Sequence, residues 1–144
     1  MLSSKLLLPS DGSDTSMKAA AYALRLMKIN PEIGLTVLVV VPETPGICDI
    51  KEKELFKKFG EAMEEKGQEI LKNTVKIFQD EGLEVSGVIE KGDPAGVIID
   101  FARRENFDHI ILGSRGVSEL RGMALGSVSH KVIHLANCRV TLVK

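Results

Sequence analysis

Tryptophan is absent, tyrosine appears once, and five phenylalanines complete an aromatic content of only 4%. A platform that grips single-stranded nucleic acid stacks bases on aromatic rings, and this chain has few to offer. A surplus of one charge is also lacking: 19 Lys and Arg stand against 20 Asp and Glu, for a net charge of -1. That balance gives no support to a nucleic-acid footprint. Long apolar runs are missing as well. The N-terminal stretch MLSSKLLLPSDG is apolar over too few residues for a signal peptide or a membrane span. The expectation is a cytoplasmic protein that partners neither membrane nor nucleic acid. Cysteine is scarce too. Cys48 and Cys138 lie far apart and form no C-x-x-C, which reads as two free thiols in a reducing compartment, with a lone disulfide or a redox pair as the alternative.

What is present is an ordinary globular composition, 44% hydrophobic and 27% charged, in 144 residues, a length that suits one domain spanning 1–144. Strand candidates are Lys5–Pro9 and residues 35–42, 83–90, 108–113 and 139–144. Helical periodicity fills the gaps. A first helix over about 15–28 carries Met17, Ala20, Ala21, Leu24 and Met27 on one face. A long second, about 51–81, repeats Leu55, Phe59, Met63, Ile70, Thr74, Ile77 and Phe78. A third opens at GDPAG, where Asp93 suits the N-cap and Pro94 the first helical position; Val97, Ile98, Phe101 and Ala102 face inward. A fourth starts near Ser127, with Val128, Val132, Leu135 and Ala136 on one stripe and Asn137 as its stop.

Five strands alternating with four helices predict an α/β fold with a parallel sheet. KLLLP, LTVLVVVP and HIIL are nearly continuous apolar runs, as strands buried on both faces require. LEVSGVIE alternates and RVTLVK is short and mixed, so both suit edges. With right-handed crossovers the simplest order is 3-2-1-4-5, a three-layer, Rossmann-like sandwich. Its winding reverses between strands 1 and 4, and open α/β sheets bind ligands there, beyond the carboxyl ends of the strands. The two stretches that meet at that place are SDGSD, residues 10–14, and GSRGVSELRGMALGS, residues 113–127.

The second stretch holds Gly113, Gly116, Gly122 and Gly126 and leads into a helix. A backbone loop before a helix presents N–H groups and the positive end of the helix dipole, both of which favour phosphate. Gly113, Gly116 and Gly126 are expected to use φ > 0 and let the main chain approach an anion. Ser127 is a candidate N-cap, a phosphate ligand through its hydroxyl, or both, and Ser129 is placed to reach the same anion. Asp11 is expected opposite, at ribose or Mg²⁺ distance; the alternative is that it caps the first helix over a loose glycine loop. No G-x-x-x-x-G-K-[ST] is present and no G-x-G-x-x-G follows a strand. SDGSDTS faintly resembles the S-G-G-x-D-S loop of ATP pyrophosphatases but lacks the double glycine.

The spacing Gly, two residues, Gly, nine residues, Gly, then Ser matches Gly113, Gly116, Gly126 and Ser127 without a gap, and in this the chain resembles the universal stress protein family, in its ATP-binding branch. LLLPSDGSDTS is similar to the family's usual start and GSVSHKVIHLANCRVTLVK to its usual end. The second helix and the loop before it are the least distinctive part. The resemblance implies a fold of the adenine nucleotide alpha hydrolase type and ATP, or ADP or AMP, as ligand. Asp11 would contact the ribose or adenine side and backbone groups of Val40 the adenine. Gly113, Gly116, Gly126, Ser127 and Ser129 would hold the phosphates, with Mg²⁺ accommodated near Asp11 and Ser127. It also implies a homodimer through the last strand, Arg139 to Lys144. Two features depart from the family pattern: Arg139 follows Cys138 where Pro is frequent, and strand 2 ends VVVPE where many relatives carry His and Asp.

Arg115 and Arg121 flank the loop and read equally as phosphate contacts or solvated cations. His130 and His134 share a helix face at a spacing that can hold a metal, without an evident third ligand. The favoured function is a dimeric module that binds ATP and signals or protects under stress. The alternative is a slow ATPase or related nucleotide-hydrolysing enzyme, and a third reading is a structural dimer with an empty crevice. Hydrolysis requires a group to orient water and a clamp for the γ-phosphate, for which Asp11 and the two arginines are the candidates.

Overall fold

A computed structural model of the chain describes residues 4–43, 50–116 and 125–144, with the side chains of 50 and 51 left aside. The element order is β1 (Lys5–Pro9), α1 (Asp14–Ile29), β2 (Gly34–Val41), α2 (Ile50–Gln79), β3 (Ser86–Lys91), α3 (Pro94–Arg104), β4 (His109–Gly113), α4 (Ser127–Leu135) and β5 (Arg139–Val143). All strand pairs are parallel and the sheet order is β3-β2-β1-β4-β5, as strand texture predicts.

Alternation along the central strands builds two cores. Leu6 and Leu8 of β1 point to one face, where Val37, Ile111, Ala19, Ala23, Met27 and Phe78 close the layer of α1 and α2. Leu7 points to the other, against Leu38, Ile98, Phe101, Ile110, Leu112 and Val132, the layer of α3 and α4. Because both faces are covered, β1 and β4 are apolar and buried after their first residues, Lys5 and His109, and the edges β3 and β5 are only partly buried.

The helices differ from the sequence expectation in which faces they bury. In α1 the buried set is Thr15, Ser16, Ala19, Ala20, Ala23 and Met27, whereas Ala21 is exposed and Met17 and Leu24 are half-buried. Apolar residues nearly encircle this helix, and the sheet selects the small ones because alanine lets the backbones approach. In α2 only the C-terminal part packs as expected: Phe78 and Thr74 are fully buried, but Leu55 is 65% and Phe59 46% exposed. Thirty residues of helix extend about 45 Å, longer than the strands it covers. A Cβ at Gly67 would lie 2.5 Å from Val41 at the end of β2, so the turns before Gly67 overhang the sheet's carboxyl edge. In α4, Leu135 is 61% exposed instead of inward, because the helix ends there and Ala136 already forms the C-cap. At α3, Asp93 is the N-cap and accepts the Gly96 N–H at 3.0 Å, with Pro94 in the first turn, as read from GDPAG.

Candidate functional site

Beyond the carboxyl ends of β1, β2 and β4 lies a cavity of about 410 Å³, within the range of small-molecule sites. Asp11, Val40, Gly113, Arg115, Gly116, Ser127 and Ser129, seven of the expected site residues, line it together. The eighth, Gly126, is the N-cap of α4, directly before Ser127. Arg121 and Gly122 lie outside the described residues.

The β1 side is built by SDGSD. Asp11 accepts the Ser13 N–H at 2.9 Å, a turn closed by its own carboxylate. Gly12 makes that turn at φ +80°, a conformation that side chains disfavour. Ser13, not Asp11, caps α1, its hydroxyl accepting the Ser16 N–H. The capping alternative for Asp11 is thereby excluded, and the residue is exposed at the rim of the cavity.

The β4 side departs from expectation in its glycines. Among the described residues the glycines with positive φ are Gly12, Gly82 and Gly92; Gly126 has φ -76° and ψ 167°, open to any residue. Gly113 is required for closeness instead. A Cβ there would fall 2.6 Å from Thr15 Oγ1 and 2.7 Å from the Ser16 nitrogen, so the end of β4 lies flush on the start of α1. Thr15 Oγ1 then donates to the Arg115 carbonyl at 2.6 Å and accepts the Arg115 N–H at 3.3 Å, while Ser13 Oγ also donates to that carbonyl at 3.3 Å. These hydroxyls clasp the chain as it leaves the sheet. Sequence reading missed them, although the ST-rich start of α1 was the available signal.

Gly126 is also spoken for: its N–H donates to the Ser114 carbonyl at 2.7 Å. Ser127 is the first residue of the helix, not its cap, since no side chain caps α4. The first intrahelical bond runs from the His130 N–H to the Gly126 carbonyl at 3.0 Å. The N–H groups of the first turn therefore have no acceptor within the helix, and Ser127, Val128 and Ser129, which carry them, line the cavity. Ser129 is buried and donates its proton to the Gly113 carbonyl at 2.8 Å, tying α4 to β4 and committing the hydroxyl proton that an anion would otherwise take.

A second hydroxyl chain forms the floor. Thr74 donates to the Ile70 carbonyl at 2.8 Å, so it accepts from Ser10 at 2.9 Å, and Ser10 in turn accepts from Ser16 at 2.8 Å. All three are buried. Thr74 belongs to the helical stripe of α2, and nothing in its spacing marks it as polar structure beneath a site.

On the β2 side, the Ser10 N–H bonds the Leu38 carbonyl at 2.9 Å, the last rung of the β1–β2 ladder. Strand parity then sends Val39 toward β3 and Val40 back toward β1. There β1 has already ended, so the Val40 peptide groups face the cavity. The ionisable side chains among the described lining residues are Asp11, Asp93 and Arg115.

Other candidates lie apart. His130 and His134 lie side by side on the exposed surface of α4, ring centroids 4.5 Å apart and planes tilted by 59°. Cys138 is a half-buried free thiol whose ionisation burial pushes up, with Asp108 adding to the effect; Cys48 is outside the described residues. No described helix is long and apolar enough to cross a membrane.

A profile of the universal stress protein family matches residues 3–144. Universal stress protein MJ0531 of Methanocaldococcus jannaschii is 34% identical over 141 residues, covering 97% of this chain and 81% of that protein. Universal stress protein YxiE of Bacillus subtilis is 34% identical, over 97% and 98% of the two chains. In structure, UspA from Lactobacillus plantarum superposes with a TM-score of 0.87 at 21% identity, covering 100% and 99%. Two further neighbours were solved with ligands: an Archaeoglobus fulgidus universal stress protein in complex with dAMP (TM-score 0.64, 24% identity) and an Arabidopsis thaliana family protein with AMP bound (TM-score 0.68, 20% identity). With the profile matched over residues 3–144 and two relatives 34% identical over 97% of its length, the chain belongs to the universal stress protein family.

Proposed function

We propose that this protein binds an adenine nucleotide, ATP foremost, in the cavity between β1 and β4, and acts as a dimeric module in the response to stress. The observation that carries the reading is the union, in one cavity, of open peptide groups at Val40, a carboxylate at Asp11 and the uncapped first turn of α4. The sheet lays these out in a line. Strands are about 4.8 Å apart, so the β2, β1 and β4 ends offer successive stations for base, sugar and phosphates. Val40 takes the adenine edge by its backbone and Asp11 the ribose hydroxyls. The phosphates meet the first-turn N–H groups of α4 near Gly113, Gly116, Gly126, Ser127 and Ser129, with Arg115 as counter-charge. Mg²⁺ would enter with the phosphates near Asp11 and Ser127. The dAMP and AMP held by two structural neighbours support the ligand class. The edge strand β5 with Lys144 after it, Arg139 to Lys144, is the proposed dimer contact, and the cytoplasm the proposed location.

Binding is favoured over hydrolysis by what lines the cavity. The hydroxyls of Ser10, Ser13, Ser16 and Ser129 are bonded to protein acceptors, and the described ionisable groups are two carboxylates and one guanidinium. The test is to denature the purified protein and identify the nucleotide released. ATP supports a binding module. ADP, with turnover of added ATP–Mg²⁺, supports the slow ATPase instead. No nucleotide and no binding of added ATP contradicts both.

A further inference from the structure

The cavity extends past the residues that the glycine spacing marks. On its β2 side it is closed by the start of α3, where Asp93 and Pro94 stand with Val40, Leu38 and Ile98. Chain connectivity puts them there: the Gly92 N–H donates to the Val41 carbonyl at 3.0 Å, so Asp93 follows directly at the carboxyl end of β2. Asp93 Oδ2 accepts the Gly96 N–H at 3.0 Å. That bond fixes the orientation of the carboxylate and engages one oxygen. A carboxylate only accepts hydrogen bonds, and this one borders an apolar slot beside the open Val40 peptide groups.

We infer that Asp93 selects the base: with the Val40 carbonyl, it reads the exocyclic amino group of a 6-aminopurine and rejects a 6-oxopurine. The inference rests on the proposed adenine-nucleotide reading and assigns its specificity. An amino group at the purine 6-position carries two protons and so satisfies two acceptors. A 6-oxo group sets an acceptor against those same two acceptors, one of them charged. Sites built to bond a polar ligand group discriminate strongly against analogues that lack it, because their own polar groups are left unpaired.

The experiment is calorimetric titration of AMP and inosine 5′-monophosphate into the intact protein and two variants. Asn and Ser are both good N-cap residues, so Asp93→Asn and Asp93→Ser keep α3 and the melting temperature. In Asp93→Asn the cap bond holds the amide oxygen and leaves the NH₂ in place of the second carboxylate oxygen, where it can donate to a 6-oxo group. The unmodified protein is expected to favour AMP by at least about tenfold, the size of one charge-assisted hydrogen bond. Asp93→Asn should weaken AMP and strengthen the inosine nucleotide, closing that gap. Asp93→Ser should weaken AMP without improving the inosine nucleotide. An AMP preference equal in all three proteins overturns the role of Asp93 and leaves adenine-nucleotide binding standing. If the unmodified protein binds ATP but not AMP, the same comparison is read with ATP and inosine 5′-triphosphate; failure to bind either AMP or ATP overturns the nucleotide reading, and this inference with it.

Discussion

Gly113 sits where β4 meets α1, with no room for even a methyl group against the Thr15 and Ser16 backbone. Gly113→Ala is therefore expected to destabilise the fold by about 1–3 kcal/mol, as overpacking does elsewhere, visible as a lower urea midpoint; an unchanged midpoint contradicts the close approach. His109 gives a second test. Its Nε2 lies 2.7 Å from Thr141 Oγ1 across the β4–β5 pair. Burial holds its pKa below the ordinary 6.5, Arg139 works in the same direction, and Asp108 opposes them. With the folded pKa below the unfolded one, the unfolded chain takes up the proton first. Stability is then full above about pH 6.5 and declines as pH falls below it. Urea unfolding at pH 7.5 and pH 5.5 should show this decline, and His109→Gln should reduce it; an identical pH dependence in the variant contradicts the assignment. At this scale the residue types around the site were legible, since glycine and Asp11 announce a backbone site. Their mechanics were not. Gly113 serves packing and not φ, Gly126 adopts an ordinary conformation, and the hydroxyls of Ser10, Thr15, Ser16 and Thr74 act through partners distant in sequence, which no local pattern reveals.

Among the elements, the central strands were read well because burial on both faces leaves an unmistakable apolar run, whereas the edge strand expected over 83–90 is β3 at Ser86–Lys91, where partial burial leaves a weaker signal. Helix existence followed from periodicity, and the α3 start from GDPAG. Helix faces were harder. α1 is apolar most of the way round, and only the sheet determines which side is buried. α2 keeps its periodicity beyond the core it serves, so Leu55 and Phe59 look like core residues in sequence and lie in the open in the structure. The two halves of α2 should respond differently to truncation. Phe78→Ala, at a fully buried site, is expected to cost about 3–5 kcal/mol. Phe59→Ala should stay within about 0.5 kcal/mol in the monomeric chain. Equal losses measured by urea titration contradict the overhanging arrangement. At α4, the element proposed to meet the phosphates is the helix start: Gly126 offers no side-chain cap, and Ser127, Val128 and Ser129 line the cavity there.

For the molecule as a whole, the strand order does most of the positioning. Because winding reverses between β1 and β4, residues 10–13 and the described parts of the glycine stretch, 113–116 and 127–129, meet at one cavity beyond the strand ends. That convergence was predictable from strand texture alone, whereas the Asp93 wall of the cavity was not, since GDPAG reads first as a helix start with Asp93 as its cap. The partly buried edge β5 is the surface proposed for pairing with a second copy. Sedimentation equilibrium should accordingly give twice the 15.7 kDa chain mass, and a monomer at micromolar concentration contradicts the proposed dimer. The central claim, that peptide groups at Val40 and at the start of α4 meet the base and the phosphates of the nucleotide, is read most directly by the amide nitrogen–proton NMR spectrum during titration with ATP. The account predicts the largest shifts at Val40 and at Ser127 to Ser129, with Phe78 and Val132 in the cores unmoved. No shifts at saturating ATP, or shifts gathered away from the β1–β4 cavity, would contradict it.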